Sequence, residues 1–593
     1  MSLIEPYAGE ARKLFVSFDI GTTFSGISYC IAHPGRVPEI KTVTRFPSQE
    51  QIGGNAKIPT VLLYDDEGVV TAVGAETLLD SNIEAAEVEG WSRAEWFKLR
   101  LAPASSNSSL HGYPLPPLPP RKSVHDVLTD FIAYLLVCLR TFIEETHPGG
   151  DALWTSLKDT AEFSLTHPNG WGGAQQAKMR SAALDAGLVR DHADAEDRVR
   201  FVTEGEASLH FCCHHGLVLD AMQEDDGVIL VDAGGGTIDL SAYATNGTSS
   251  KATFSEIAAS KCLFQGSVFV TRRAEEYFRT SFKDTKWEAD ISYMTQIFDK
   301  HAKLTIKNSS DPALVKFGTF KDSDPALSVR NGQLKISGAT AAGFFTPSID
   351  AIYNAVLEQM AMVQVHHKRI SSVYVVGGFG ASSLLFTKLK AILDKLDIDV
   401  CRPDTHVNKA VADGGVLFLL NGRVTTRVSR YTYGVRCSAL YRAWDPAHYL
   451  RKDTVRLDSV SGYEFIPGCF TTVLPVNTQI SQEQEFRHAF YNTYESRPSG
   501  SARLVVHLYR GSKAKPCWID EDKEKFSVLC TIKAGAEIDQ QATFETNEHG
   551  KNYWRLEFDV ALLLGLTEIK AQIIWKDAQG TEKRGPATVI YDH

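Results

Sequence analysis

Two short segments, far apart in the chain, carry the same chemistry. In Asp19-Ile20-Gly21-Thr22-Thr23 an acid closes an apolar run and a Gly-Thr-Thr turn follows. A carboxylate at a strand end can hold Mg2+, directly or through water. The turn beyond it directs backbone N–H groups and hydroxyls toward the oxygens of a phosphate. Phe24 and Ser25 then lead into a return strand. Asp232-Ala233-Gly234-Gly235-Gly236-Thr237 repeats the device, with Asp239 just beyond. Its three glycines let the backbone approach a polyphosphate without Cβ clashes. A third turn, Gly377-Gly378-Phe379-Gly380, lies between an apolar run and an amphipathic stretch from Ser382. A turn opening a helix in this way suits close approach of an α-phosphate or ribose. Either acidic turn alone could equally be a tight β-turn with a solvated Asp. Two copies flanked by strands, with the third turn behind them, predict hairpins that grip the β- and γ-phosphates of a nucleotide from opposite sides.

The elements that must position these turns are readable from periodicity. FVSFDI, GISYCI, AEFSLTHP, VILVDA, IDLSAYA and VYVVGG are short, apolar and rich in β-branched or aromatic residues, as buried strands are. Amphipathic helices alternate with them. The clearest starts at Ser123, an N-cap with Asp126 as capping-box partner. Val127, Leu128, Phe131, Ile132, Leu135, Leu136, Leu139, Phe142 and Ile143 form its apolar stripe, and His147-Pro148-Gly149-Gly150 ends it. A second helix is expected from about Ser348 to His367. Such alternation means an α/β domain, with helices packed on sheets. After Asn421-Gly422 strands dominate: YTYGVRCSAL, FTTVLPV, ARLVVHLYRG, FSVLCTIKA, YWRLEFDVALL, EIKAQIIW and ATVIYD. These predict an all-β sandwich. The expected organisation is a nucleotide-binding domain over 12–421, a polar, basic linker over 422–430 and the sandwich over 431–593.

Composition narrows the function classes. Hydrophobic residues make up 43% and charged residues 23%, which is globular rather than disordered. A formal net charge of -10 leaves no basic footprint for nucleic acid or an anionic membrane surface. No apolar run approaches the roughly 18 residues of a membrane-spanning helix. The ten cysteines are scattered without a C-x-x-C pair, and Met1 to Lys13 lacks a secretory apolar core. Cys212-Cys213-His214-His215 cannot close a tetrahedral metal site by itself, because helical neighbours diverge. The expected compartment is therefore the reducing cytoplasm, with the nucleus open as well. Sequons at Asn107, Asn246 and Asn308 are then chance matches. No P-loop, H-E-x-x-H, EF-hand or kinase H-R-D/D-F-G motif occurs. Pro116 to Arg121 spells P-x-x-P-x-R, either a ligand for an SH3-type partner or a stiff surface loop.

With these motifs in place, the chain resembles the 70-kDa heat-shock chaperone family, within the actin, hexokinase and heat-shock ATPase superfamily, from about Leu14 onward. Asp19, Gly21, Thr22 and Thr23 match the family's first phosphate motif, with Phe24 for its tyrosine. Asp232, Gly234, Gly235, Gly236, Thr237 and Asp239 match the second, and Gly377 and Gly378 match the adenosine motif. The stretch from Glu95 to Leu101 is similar to the one holding the family's catalytic lysine and nominates Lys98; Thr203 to Ser208 likewise nominates Glu204. Pro168 falls where the family has its interdomain switch proline. The departures are that Phe379 and Ala381 stand for a serine and an arginine of the adenosine motif. Asp299 to Lys303 only approximates the adenine-contact pattern, nominating Lys303. Gly422 to Arg427 replaces an apolar leucine linker, and no helical lid follows the sandwich.

The resemblance implies a two-lobed actin-like fold with duplicated ribonuclease-H-like subdomains. It implies a Mg2+-dependent ATPase, cycling between ATP and ADP, that couples nucleotide state to an unfolded or extended polypeptide held by the β-domain, with co-chaperones as possible partners. In it Asp19 and Asp232 hold the metal. Thr22, Thr23, Thr237 and the glycine amides cradle phosphates, Lys98 places the attacking water, and Glu204 orients that water or the metal shell. Two other readings stay open. One is an interaction or sensor protein that binds nucleotide with little turnover. The other is a small-molecule kinase of the same superfamily, for which no sugar-contact cluster is evident.

Overall fold

A computed structural model of the chain describes residues 5–50, 56–103, 114–217, 226–247, 252–364, 368–403, 407–481, 484–499, 503–547, 550–564 and 569–585. The expected strand ATVIYD and the sequon at Asn107 lie outside the described residues. The chain is mixed α/β and divides into two compact units, residues 1–171 with 178–424, and residues 425–593 with 172–177.

The first unit contains two sheets of the same design. In one, β1 (Lys13–Ile20) and β2 (Phe24–Ala32) form a hairpin, and β3 (Glu162–His167) and β4 (Val199–Thr203) add to the β1 side in parallel. The short strand Lys41–Thr42 extends the β2 side antiparallel. In the other, β5 (Asp226–Ala233) and β6 (Ile238–Asn246) form the hairpin and β7 (Thr253–Leu263) extends it antiparallel. There β8 (Arg369–Val376) and β9 (Asp399–Cys401) add to β5 in parallel. The strand order is thus repeated: antiparallel neighbour, return strand, leading strand, two parallel strands. Parallel strands need covered faces, and the near-continuous burial of β1, β5 and β8 meets that condition.

Helices supply the cover. The expected capping box holds at the start of α1 (Val124–Thr146): Asp126 N donates to Ser123 Oγ at 3.2 Å, and Ser123 N donates to the Asp126 carboxylate at 2.8 Å. Its stripe is buried in the core of the first sheet as the periodicity predicts, with Leu136 partly buried. Each fully buried Leu, Ile or Phe contributes roughly 1.5–3 kcal/mol. Four further helices of this unit are α2 (Glu204–His214), α3 (Ser267–Ser281), α4 (Thr346–Gln364) and α5 (Ser383–Leu393). Among the described residues no helix is long and apolar enough to cross a membrane. The Pro116 to Arg121 segment rests on the first core, with Pro119 buried, Leu118 packed inward and Arg100 donating to the Pro116 carbonyl at 2.6 Å.

In the second unit two antiparallel sheets share one apolar core. The first contains β10 (Thr432–Leu440), β11 (Glu464–Leu474), β13 (Arg503–Tyr509) and β14 (Phe526–Lys533). The second contains β12 (Glu485–Tyr494), β15 (Asn552–Leu564) and β16 (Ile569–Lys576). Val435, Val506 and Ile532 from one sheet meet Phe558, Val560 and Ile573 from the other. Two strands here were not anticipated by the sequence reading. The expected linker over 422–430 is largely a strand, Val424–Val428, and Thr426 to Val428 pair with Gln479–Ser481. And β12, absent from the sequence reading, pairs with β15 over ten positions, Glu485 to Tyr494. Its residues alternate poorly and are mostly half-buried or exposed, so it carries no periodic signal.

Candidate functional site

The two acid-tipped turns open into one cavity of about 640 Å3. Asp19, Gly21, Thr22, Thr23 and Phe24 line it from the β1–β2 turn. Asp232, Gly234, Gly235, Gly236 and Thr237 line it from the β5–β6 turn, and Gly377 and Gly378 from the turn after β8. Lys98 and Glu204, nominated by the family resemblance, both reach the same cavity.

Local structure explains each placement. Asp19 and Asp232 are the penultimate residues of β1 and β5, so the hairpins carry their carboxylates to the sheet ends. The hairpins also touch: a Cβ on Gly235 would lie 2.2 Å from Thr23 Oγ1, so only glycine allows this approach. The second hairpin is braced from behind by α3, whose Ser267 and Val268 amides donate to the Gly234 and Gly235 carbonyls. Gly377 has φ +84°, and a Cβ there would meet Asp232 Oδ1 at 2.3 Å. The Phe379 amide donates to the Ala233 carbonyl at 2.9 Å and ties the third turn to the second hairpin. Lys98 stands on the short 3-10 turn Phe97–Leu101, entered through Trp96 in the left-handed region at φ 54°. Glu204 is the first residue of α2, where the helix dipole favours a carboxylate.

The electrostatics are those of a buried acidic cluster short of cations. Lys98 Nζ donates to Glu204 Oε1 at 2.6 Å and lies 5.6 Å from the centroid of the Trp171 ring. Burial by itself would lower the Lys98 pKa, but Glu204, Asp19 and Asp239 hold it above the ordinary value, so the ammonium stays charged. Asp19 is ion-paired with Lys57 and accepts from Thr166 Oγ1 at 3.2 Å. Asp232 accepts from Ser208 Oγ at 3.0 Å. Burial, then the nearby charges of Glu204, Asp239 and Asp19, push the Asp232 pKa well up. Burial and Glu204 likewise push Asp239 up to about 7, although the Asn169 amide donates to it at 2.6 Å. The second carboxylate oxygen of Asp239 is buried without a hydrogen-bond partner among the described residues.

These residues fit a divalent cation. Asp19, Glu204 and Asp232 line the cavity with Lys57 and Lys98, and Asp239 is near enough to raise the Asp232 pKa, so four carboxyl groups share two ammonium groups. Among the described residues no three His, Cys, Asp or Glu side chains are arranged to ligate a metal directly. Two carboxylates, Asp19 and Asp232, beside turns that present hydroxyls and amides are a donor set that suits Mg2+, which keeps several waters and is held by one or two carboxylates plus phosphate oxygens.

Two nominated residues are not on the cavity. The Phe379 ring turns into the core of the second sheet, where it is 5% exposed and packs on Phe345 at 6.0 Å between centroids. An apolar ring gains more there than on a wet cavity wall. The Lys303 ammonium is engaged by Asp299 and by Thr271 Oγ1 at 3.1 Å, so its charge is spent inside the protein. Conversely, Lys57, Asn408 and Val411 line the cavity unannounced, together with Ala381 of the third turn. Lys57 precedes the strand Ile58–Pro59, which pairs with Ser25 and Phe24. Only that long-range pairing brings it to Asp19, and no local motif marks it.

No protein-family model matches the chain, and no curated protein matches it.

Proposed function

We propose that the chain is a Mg2+-dependent ATP-binding and ATP-hydrolysing protein of the actin, hexokinase and heat-shock ATPase type. In this reading the first unit is the two-lobed nucleotide-binding part, built from duplicated ribonuclease-H-like halves. The second unit is a β-domain for extended polypeptide, in the manner of the 70-kDa chaperones. The observation that carries the proposal is the convergence of two acid-tipped hairpins on one cavity that also holds the Lys98–Glu204 pair. The repeated strand order of the two sheets supports a duplicated fold.

Phosphoryl transfer needs positioning and charge neutralisation more than covalent chemistry from the protein. Thr22, Thr23, Thr237 and the amides of the Gly234 to Gly236 turn cradle the phosphates. Asp19 and Asp232 would hold hydrated Mg2+, which when bound neutralises phosphate charge. Lys98, kept charged by its acidic neighbours, positions the attacking water and stabilises the transferring γ-phosphoryl group as its bond to ADP breaks and its bond to water forms. Glu204 orients that water. Apart from the phosphate loops and Lys57, Lys98 and Glu204, the lining is Gly377, Gly378, Ala381, Asn408 and Val411, none of them charged. Affinity is therefore carried by the phosphates, and discrimination among bases is expected to be weak.

A single-turnover assay with Mg2+ and ATP, with and without an unfolded peptide, tests the reading. Hydrolysis whose rate changes with peptide supports a coupled ATPase. Tight binding without hydrolysis supports the second reading, a nucleotide-binding interaction or sensor protein. One observation favours that alternative: Lys98 is already engaged by Glu204 and must be shared with any ligand. No binding of any nucleoside triphosphate ends both.

A further inference from the structure

The ten cysteines show no pairing pattern along the chain, yet the fold brings two of them face to face. Cys437 on β10 and Cys469 on β11 are direct cross-strand partners in an antiparallel register. Residues so placed have Cα atoms about 4.5–5.5 Å apart, within the roughly 4.4–6.8 Å that a disulfide spans. None of the other cysteines stands opposite another in a strand pairing among the described residues. Both thiols are half-buried rather than sealed in the core, unlike Cys30, Cys138, Cys212, Cys213 and Cys530. Thr471, two residues along β11, holds its hydroxyl 3.1 Å from the Cys437 sulfur.

We propose that Cys437 and Cys469 form an oxidisable dithiol in the second unit, a modification site that reacts with hydroperoxides and closes to a cross-strand disulfide. The contacts of the two sulfurs differ, and the Thr471 hydroxyl beside the Cys437 sulfur assigns Cys437 as the attacking thiol and Cys469 as its partner. The Cys469 thiol and Thr471 hydroxyl bring Cys437 down to about 7, so about half of it is thiolate at neutral pH. The same contact pushes Cys469 up and keeps it protonated. A thiolate is the nucleophile in peroxide reduction. The Cys437 sulfur attacks one peroxide oxygen; the O–O bond breaks, an S–O bond forms, and the other oxygen leaves as water or alcohol, giving a sulfenic acid. The Cys469 sulfur then attacks the Cys437 sulfur. An S–S bond forms, the S–O bond breaks, and hydroxide leaves with the Cys469 proton as a second water. Two thiols lose two electrons and two protons in total, and one peroxide is reduced. Cys517, exposed and carried next to this pair by the Cys469–Trp518 bridge, is the competing thiol.

Full-length protein treated with equimolar hydrogen peroxide, alkylated and digested, is expected to yield one linked peptide pair joining Cys437 to Cys469. Its free-thiol count should fall from ten to eight and return on reduction with dithiothreitol. Cys469→Ser should leave Cys437 as a sulfenic acid that dimedone traps. Cys437→Ser should slow peroxide consumption at least tenfold, and Cys517→Ser should leave it unchanged. A thiol count that falls without the linked peptide overturns the proposal. So does oxidation confined to Cys517, or undiminished peroxide consumption by Cys437→Ser. Peptide mapping of the unmutated protein keeps the test decisive if a serine variant fails to fold.

Discussion

The two hairpins end in the same acid and serve the same cavity, but they treat that acid differently. Asp19 is satisfied without a ligand: Lys57 neutralises it and Thr166 donates to it. Among the described residues Asp232 has only the Ser208 hydroxyl as a hydrogen-bond donor, and it is crowded by Glu204 and Asp239. The turns differ in the complementary sense. The first supplies side-chain hydroxyls from Thr22 and Thr23, and the second supplies bare backbone into which those hydroxyls fit. One hairpin is therefore a finished structural element, whereas the other is left electrostatically incomplete. A buried carboxylate lacking a cation is costly, and it persists where a bound cation completes it. Under the proposed function, the asymmetry makes the second hairpin the one expected to depend on the metal.

The strongest way to break this picture is steric. Gly235→Val sets a branched side chain against Thr23 and is expected to abolish ATP binding in calorimetry. Adding Thr23→Ala to the same variant makes room and should restore part of the affinity. Full binding by Gly235→Val alone would show that the hairpins need not meet.

Next comes the group that both hairpins surround. Lys98→Ala should retain ATP binding and lose turnover by roughly 10²–10³-fold, the scale of one preorganised electrostatic donor. Unchanged single-turnover rates would remove Lys98 from the chemistry and leave it a structural partner of Glu204.

The unequal acids give a prediction of opposite signs. In metal-free protein, Asp19→Asn strands the Lys57 ammonium beside a buried amide and should destabilise by about 1–3 kcal/mol. Asp232→Asn replaces an acid whose ionised form nothing neutralises and should stabilise by a similar amount, about 1–3 kcal/mol, since a buried group that is costly to ionise gives way to a neutral isostere. Both should weaken Mg2+-dependent nucleotide binding. Thermal unfolding in chelator reads the first effect and titration with Mg2+ and ATP the second. Equal shifts for the two variants would erase the distinction between the hairpins.

Legibility in the sequence divides along the same line. Lys98 and Glu204 were nominated only by the resemblance of their stretches to family motifs, whereas the turns, Asp19 and Asp232 were found because each is a local pattern, an acid ending an apolar run and glycines in series. The helix α1 was legible to its capping box for the same reason. Lys57 was not, since its role depends on Ile58–Pro59 pairing with β2. Nor were Ser208 and Asn169, which reach Asp232 and Asp239 only through the tertiary fold. In the second unit β12 escaped because a half-exposed strand has no face to mark. Phe379 and Lys303 were misplaced because position in a motif fixes the backbone, while the side chain goes where its own burial or ion pair is best.

Phe379 offers the finest test of that last distinction. Its backbone amide anchors the third turn to Ala233, while its ring belongs to the core with Phe345. Phe379→Leu keeps the amide and most of the apolar volume, so the expected cost is below about 1.5 kcal/mol of stability. Nucleotide affinity should stay within twofold of the unmutated protein, because the anchoring amide and the Gly377 and Gly378 lining are untouched. A tenfold loss of affinity with unchanged stability would mean that the ring reaches the ligand. The third turn would then be a specificity element and not a brace for the second hairpin.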